Sequence, residues 1–94
     1  MTRSDLIEIL TTKSNLPAQD VEMAVKVILD EMARTLSRKE RIEIRGFGSF
    51  QTKIRPARSV RNPRSGETIQ KPATAIPSFK AGKELKQRIN AQSN

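Results

Sequence analysis

Apolar and polar residues follow two different periods along this chain, and the change falls near residue 41. Leu6, Ile7 and Leu10 recur at helical spacing up to about Lys13, behind Thr2 and Asp5, whose separation of three is a weaker form of the capping box. This predicts a first helix over residues 3–13. Asn15, Leu16 and Pro17 end it, because proline disfavours helical backbone in the residue before it and is tolerated in the first turn of the next helix. Val21, Ala24, Val25, Ile28, Leu29, Met32 and Leu36 then step by three and four, which makes one wide apolar stripe on a second helix of about 18 residues.

Past Arg38, Lys39 and Glu40 the period shortens to two. Ile42 and Ile44 face one way and Arg41, Glu43 and Arg45 the other, as in a strand. Gly46, Phe47, Gly48, Ser49 and Phe50 place two glycines around an aromatic, which suits a tight turn between antiparallel strands, and Phe50 leads on through Thr52 and Ile54. Phe79, Ala81 and Gly82 precede a short amphipathic helix, residues 83–90, in which Leu85 and Ile89 are four apart.

The stretch from Arg55 to Lys71 holds few core-forming residues, its sizeable aliphatics being Val60, Ile69 and the flanking Ile54. Pro56 and Pro63 exclude a helix, and Asn62, Pro63, Arg64, Ser65 and Gly66 form a turn sequence with Gly66 free to take a positive φ. A long two-stranded hairpin with its tip near Pro63 is the economical reading. At roughly 3.3 Å per residue, about ten residues on each side give an arm of about 30 Å. The expected class is α+β: one domain over residues 1–94, with a body at 1–51 and 74–94 and a β-ribbon arm at 52–73.

Composition explains why such a chain needs a second one. Hydrophobic residues make up 35%, and with 4 glycines the apolar share reaches about 39%, below the roughly 45–50% of an average globular chain. A ribbon that packs on nothing leaves still less for the core. The expectation is an intertwined dimer whose core draws on Val25, Ile28, Leu29 and Met32 of the helical stripe and on Phe47, Phe50 and Phe79.

No Cys, Trp, Tyr or His is present, which removes disulfides, thiolate and imidazole metal sites and the usual general base. Without a Gly-rich phosphate loop or paired-acid motif either, the sequence implies no enzyme, cofactor, metal or small-molecule substrate. The longest apolar stretch, residues 23–29, is broken by Lys26, and Arg3, Asp5 and Glu8 interrupt what a signal peptide would require. A soluble cytoplasmic chain is expected.

Charge is divided unevenly. Residues 1–40 hold 6 basic and 7 acidic side chains, net −1, whereas residues 41–94 hold 12 basic and 3 acidic, net +9. Lys53, Arg55, Arg58, Arg61, Arg64 and Lys71 crowd the arm, opposed only by Glu67. A basic half on a near-neutral half points to a polyanion-binding surface.

Gly46 to Phe50, then Arg58, Arg61, Asn62, Pro63, Arg64, Ser65 and Gly66, and later Pro77, Ser78, Phe79, Lys80, Ala81, Gly82 and Lys83 resemble the bacterial HU and integration host factor family along the whole chain. Glu40 to Gly46 looks most like that factor's beta subunit, whereas Ala73 to Lys83 reads more like HU. Val60 and Ser65 stand where the family usually has glycine and threonine. The resemblance implies a nucleoid-associated architectural protein, a dimer with an identical or related subunit, two arms clasping double-stranded DNA, and Pro63 wedged between base pairs from the minor groove. Kinks made by minor-groove architectural proteins, this family among them, span about 20–90°, a range that belongs to the class as a whole.

Several residues keep a second reading. Pro63 alone is ordinary turn chemistry. Arg55, Arg58, Arg61 and Arg64 recur every three residues, which in an extended chain alternates their faces and suits an arm between phosphate walls, but a solvated charge run has the same look. Glu43 and Arg45 share a strand face and form either an exposed ion pair or, as the resemblance implies, an arginine oriented by an acid toward the minor groove. Lys80, Lys83, Lys86 and Arg88 either solubilise a short helix or meet phosphate near its start. A single-strand binder would need exposed aromatics for stacking, and only three phenylalanines are present. An acidic protein partner is the remaining rival for the basic half.

Overall fold

The computed structural model describes residues 1–91; residues 92–94 of the expected body lie outside the described residues. Its elements are α1 (Arg3–Ser14), α2 (Ala18–Ser37), β1 (Ile42–Ile44), β2 (Gly48–Arg55), β3 (Arg58–Arg61), β4 (Thr68–Lys71), β5 (Thr74–Ala81) and α3 (Lys83–Ala91). The fold is α+β, with helices before and after an antiparallel run of strands. No described helix is long and apolar enough to cross a membrane.

The first compact unit, Met1–Arg34, contains α1 and most of α2. The capping box forms as its spacing requires: the Thr2 hydroxyl accepts from the Asp5 N–H at 3.2 Å, and the Asp5 carboxylate accepts from the Thr2 N–H at 3.0 Å. Asn15 ends α1 in the left-handed region (φ 57), and the Pro17 carbonyl accepts from the N–H groups of Asp20 and Val21 to start α2. Val21 and Val25 are the only buried apolar side chains among the described residues. Farther along the same stripe, Ile28 is 57% exposed and Leu29 is exposed, while Met32 is half-buried. The stripe is thus wider than one chain covers.

The second unit begins at Thr35. Lys39 takes a positive φ of 63, its N–H donates to the Leu36 carbonyl at 3.0 Å, and the Glu40 N–H reaches back to Thr35 at 3.1 Å. This is a Schellman ending with lysine in the seat glycine usually takes. The Thr52 hydroxyl of β2 donates to the same Leu36 carbonyl at 2.8 Å, tying the end of α2 to the sheet.

Three strands, in the order β1-β2-β5, form the body sheet. The turn from β1 to β2 is closed by the Phe47 N–H on the Ile44 carbonyl, 3.0 Å, with Gly46 at φ 82 in the third position, where a type II turn calls for glycine. Gly48 is required for a different reason: a Cβ there would stand 2.5 Å from the Lys80 carbonyl and 2.7 Å from the Phe79 ring. Phe79 packs on Phe47 and Phe50, with ring centroids 5.5 and 4.7 Å away. The three aromatics are one cluster, and Phe47 and Phe79 remain exposed on it.

Beyond the body, β2 and β5 hold their pairing as far as Arg55 opposite Thr74. The ladder then lapses for two residues on each strand, at Pro56 and Ala57 and at Pro72 and Ala73, and resumes in the same register as β3 and β4 from Arg58 opposite Lys71 to Arg61 opposite Thr68. Each strand carries a proline with no N–H to give, which accounts for the lapse. Val60 sits in β3, half-buried and directly across from Ile69. A β-branched residue here favours extended backbone and an aliphatic cross-strand pair.

Candidate nucleic-acid interface

Strand alternation divides the body sheet into two faces. Ile42, Ile44, Phe50, Ile54, Phe79 and Ala81 share one, and Glu43, Ser49, Gln51, Lys53, Arg55, Ser78 and Lys80 share the other. The apolar face is the one carrying the aromatic cluster. The polar face carries Lys53, Arg55 and Lys80, brought together from two strands that the whole arm separates in sequence.

A groove of about 950 Å³ continues this polar face toward α3. Arg41, Arg45, Lys80, Lys83 and Lys86 line it, with Glu43 as its acid and Ser49, Gln87 and Asn90 as further polar groups. Gly82 makes the arrangement possible: its N–H donates to the Phe47 carbonyl at 2.9 Å, and its own carbonyl accepts the Lys86 N–H at 3.1 Å, so α3 starts directly against the β1–β2 corner. A Cβ at Gly82 would stand 3.3 Å from the Phe47 carbonyl oxygen, so the approach leaves little space.

The expected pairing of Glu43 with Arg45 is not what the structure contains. Glu43 instead pairs with Arg41, Nη2 to Oε1 at 3.4 Å, and among the described residues no carboxylate lies within ion-pair reach of Arg45. The reason is local. β1 ends at Ile44, so Arg45 belongs to the turn and leaves the strand alternation that would have set it beside Glu43. Arg45 still lines the groove, with its cation uncompensated. Arg41 is the residue that sequence reasoning passed over as a site, although the period-two reading already set it on the same face as Glu43.

The arm distributes its charges by the same rule. Arg58 and Lys71 stand directly opposite each other on one face with Val60 and Ile69. Arg61 lies on the other face, across from Thr68. Like charges placed directly opposite in a ladder are destabilising unless something neutralises them. At the tip, the Asn62 N–H donates to the Glu67 carbonyl at 2.8 Å, the Gly66 N–H to the Asn62 carbonyl at 2.8 Å, and the Arg64 N–H to Asn62 Oδ1 at 2.9 Å. Asn62, expected at the interface, spends its side-chain acceptor on holding the turn. Pro63 and Arg64 are exposed at its apex. No cluster of His, Cys, Asp and Glu able to hold a metal occurs among the described residues.

Residues 1–90 match the family model described as bacterial DNA-binding protein. The chain is 52% identical over 92 residues to integration host factor subunit beta of Thioalkalivibrio sulfidiphilus, spanning 97% of this chain and 96% of that one. It is 52% identical over 91 residues to the same subunit of Pseudoalteromonas atlantica, spanning 96% and 95%. In fold it is similar to HU in the Anabaena HU–DNA cocrystal structure, with a TM-score of 0.83, 28% identity, and coverage of 95% of this chain and 97% of that one. With fold, residue pattern and length all in agreement, the chain belongs to the bacterial DNA-binding protein family of HU and integration host factor, whose members are architectural proteins and not enzymes.

Proposed function

We propose that this chain is one subunit of a dimeric architectural protein that binds duplex DNA from the minor groove and bends it by wedging Pro63 of each arm between base pairs. The carrying observation is the continuity of basic side chains along one side of the molecule's second unit. Arg45, Lys80, Lys83 and Lys86 line the groove, and Lys53 and Arg55 extend the same sheet face toward the arm. Phosphates spaced along a duplex supply the anions this row lacks, and they relieve the Arg58 and Lys71 apposition as well.

Pro63 suits a wedge because a rigid apolar ring with no N–H can replace stacking contacts without leaving a donor unsatisfied. The exposed halves of the α2 stripe and of the phenylalanine cluster supply the dimer surface, formed with an identical chain or a related second subunit. Such a protein works in the bacterial nucleoid, in the cytoplasm, and serves recombination, replication and transcription.

A second reading within the same chemistry is an HU-like homodimer with little sequence preference. It is favoured by the absence of a carboxylate partner for Arg45 among the described residues, since an arginine not held by an acid is less fixed in direction. Selection from random duplexes by the purified chain, alone and with a candidate partner subunit, separates the two. An enriched motif supports the site-selective subunit. Enrichment of merely flexible DNA by a stable homodimer supports the HU-like protein, and failure to prefer duplex over single strands or heparin refutes both.

A further inference from the structure

Because the register does not slip across the proline break, the two faces of the body sheet carry through into the arm. Ser59, Arg61, Thr68 and Gln70 continue the face of Lys53, Arg55 and Lys80, while Val60 and Ile69 continue the apolar one. On the polar face the Ser59 hydroxyl donates to Gln70 Oε1 at 3.1 Å. The bond ties down the acceptor end of the amide and leaves its NH2 group, with two donors, without a partner among the described residues. Arg61, beside it, has donors only. On this face the arm therefore presents the donors of Gln70 and Arg61, unpartnered among the described residues, beside the Ser59 and Thr68 hydroxyls, which can donate or accept.

We infer that Gln70, oriented by Ser59, is a specificity-determining residue of the arm that selects A·T over G·C pairs. The inference rests on the minor-groove reading above. In that groove A·T pairs show only acceptors, whereas G·C pairs add the guanine 2-amino donor, which meets the amide NH2 and the guanidinium as donor against donor. Ser59 supplies discrimination without touching the base, because without its hydroxyl the amide is free to turn its oxygen toward that amino group.

The alternative is that Ser59 and Gln70 merely hold the two strands together, and the test is built to separate the two roles. Binding at fixed salt is measured on two bent-prone duplexes that differ only in whether the segments under the arms are A·T or G·C, and on a third with inosine for each guanine there. The wild-type protein is expected to favour A·T over G·C by about threefold or more, roughly one net hydrogen bond, with inosine restoring most of the loss. Gln70→Leu should shrink that inosine effect, leaving only the share due to Arg61, while binding persists. Ser59→Ala should raise affinity for the G·C duplex, a gain that loss of ribbon stability cannot produce. An inosine effect equal in wild type and Gln70→Leu overturns the inference and leaves duplex binding intact, whereas absence of duplex binding by the wild type refutes the minor-groove reading itself.

Discussion

Phe50 stands directly across the β2–β5 ladder from Phe79, with ring centroids 4.7 Å apart, and yet Phe79 is still 43% exposed. A pair so placed on the apolar face of a sheet, left half open, is what the proposed dimer core would cover. Removing Phe79 should therefore destabilise the protein by about 3 kcal/mol, the low end for a core phenylalanine truncated to alanine. Urea unfolding of Phe79→Ala measures it. The wild-type unfolding midpoint should also rise with protein concentration, as it must when folding is linked to dimerisation. A midpoint independent of concentration would count against the dimer.

Three backbone positions should respond in different directions. Lys39→Gly relieves a left-handed lysine and should stabilise by about 1 kcal/mol. Gly46→Ala adds a side chain at φ 82 and should cost roughly the same amount, since its nearest neighbour, Glu84 Oε2, is the mobile end of a side chain. Gly48→Ala drives a Cβ into the Lys80 carbonyl and should cost the most, because backbone on a paired strand cannot withdraw. Thermal or urea melts of the three variants give the order.

Much of this fold was legible because its signals are local. The capping box, the Pro17 restart, the stripe of α2, the glycine corner and the Asn62 to Gly66 turn each lie within a few residues and occur where the pattern set them. The Phe79 contact with the corner was not legible, since it depends on strands joined through the whole arm. The end of α2 was legible from the change of period past Arg38, Lys39 and Glu40, but its left-handed form was not, because lysine stands at Lys39 where glycine is the usual signal. In the candidate site, alternation held for Arg41 and Glu43 and failed at Arg45, one residue past the strand's end, while the shared face of Lys53, Arg55 and Lys80 came only with the β2–β5 register. The three-residue spacing already set Arg58 and Arg61 on opposite faces, and the register added what spacing could not, that Gln70 of the facing strand shares the face of Arg61.

Salt should control affinity strongly. Each neutralised phosphate contributes about −0.9 to the slope of log K against log salt, and two arms with their grooves should release about six ions or more. Equilibrium binding over a salt series reads the slope directly. A value shallower than about −3 contradicts a two-armed grip on the backbone.

Arg45→Ala addresses specificity apart from overall grip. As a groove cation with no carboxylate partner, Arg45 should contribute little more than about one unit of that slope. If the chain is a site-selective subunit, the variant should lose about 1–3 kcal/mol of specific over non-specific affinity. Competition between a selected site and random duplex measures the ratio. An unchanged ratio assigns Arg45 to backbone contact alone.

The claim that Pro63 bends DNA as a wedge is tested most directly by energy transfer between dyes on the two ends of one duplex, read for wild type and Pro63→Ala at saturating protein. The account predicts strong transfer with the wild-type protein and markedly weaker transfer with the variant, at non-specific affinity and a salt slope nearly unchanged, because the arginines that hold the backbone remain. Equal transfer for both proteins, with both fully bound, would contradict it.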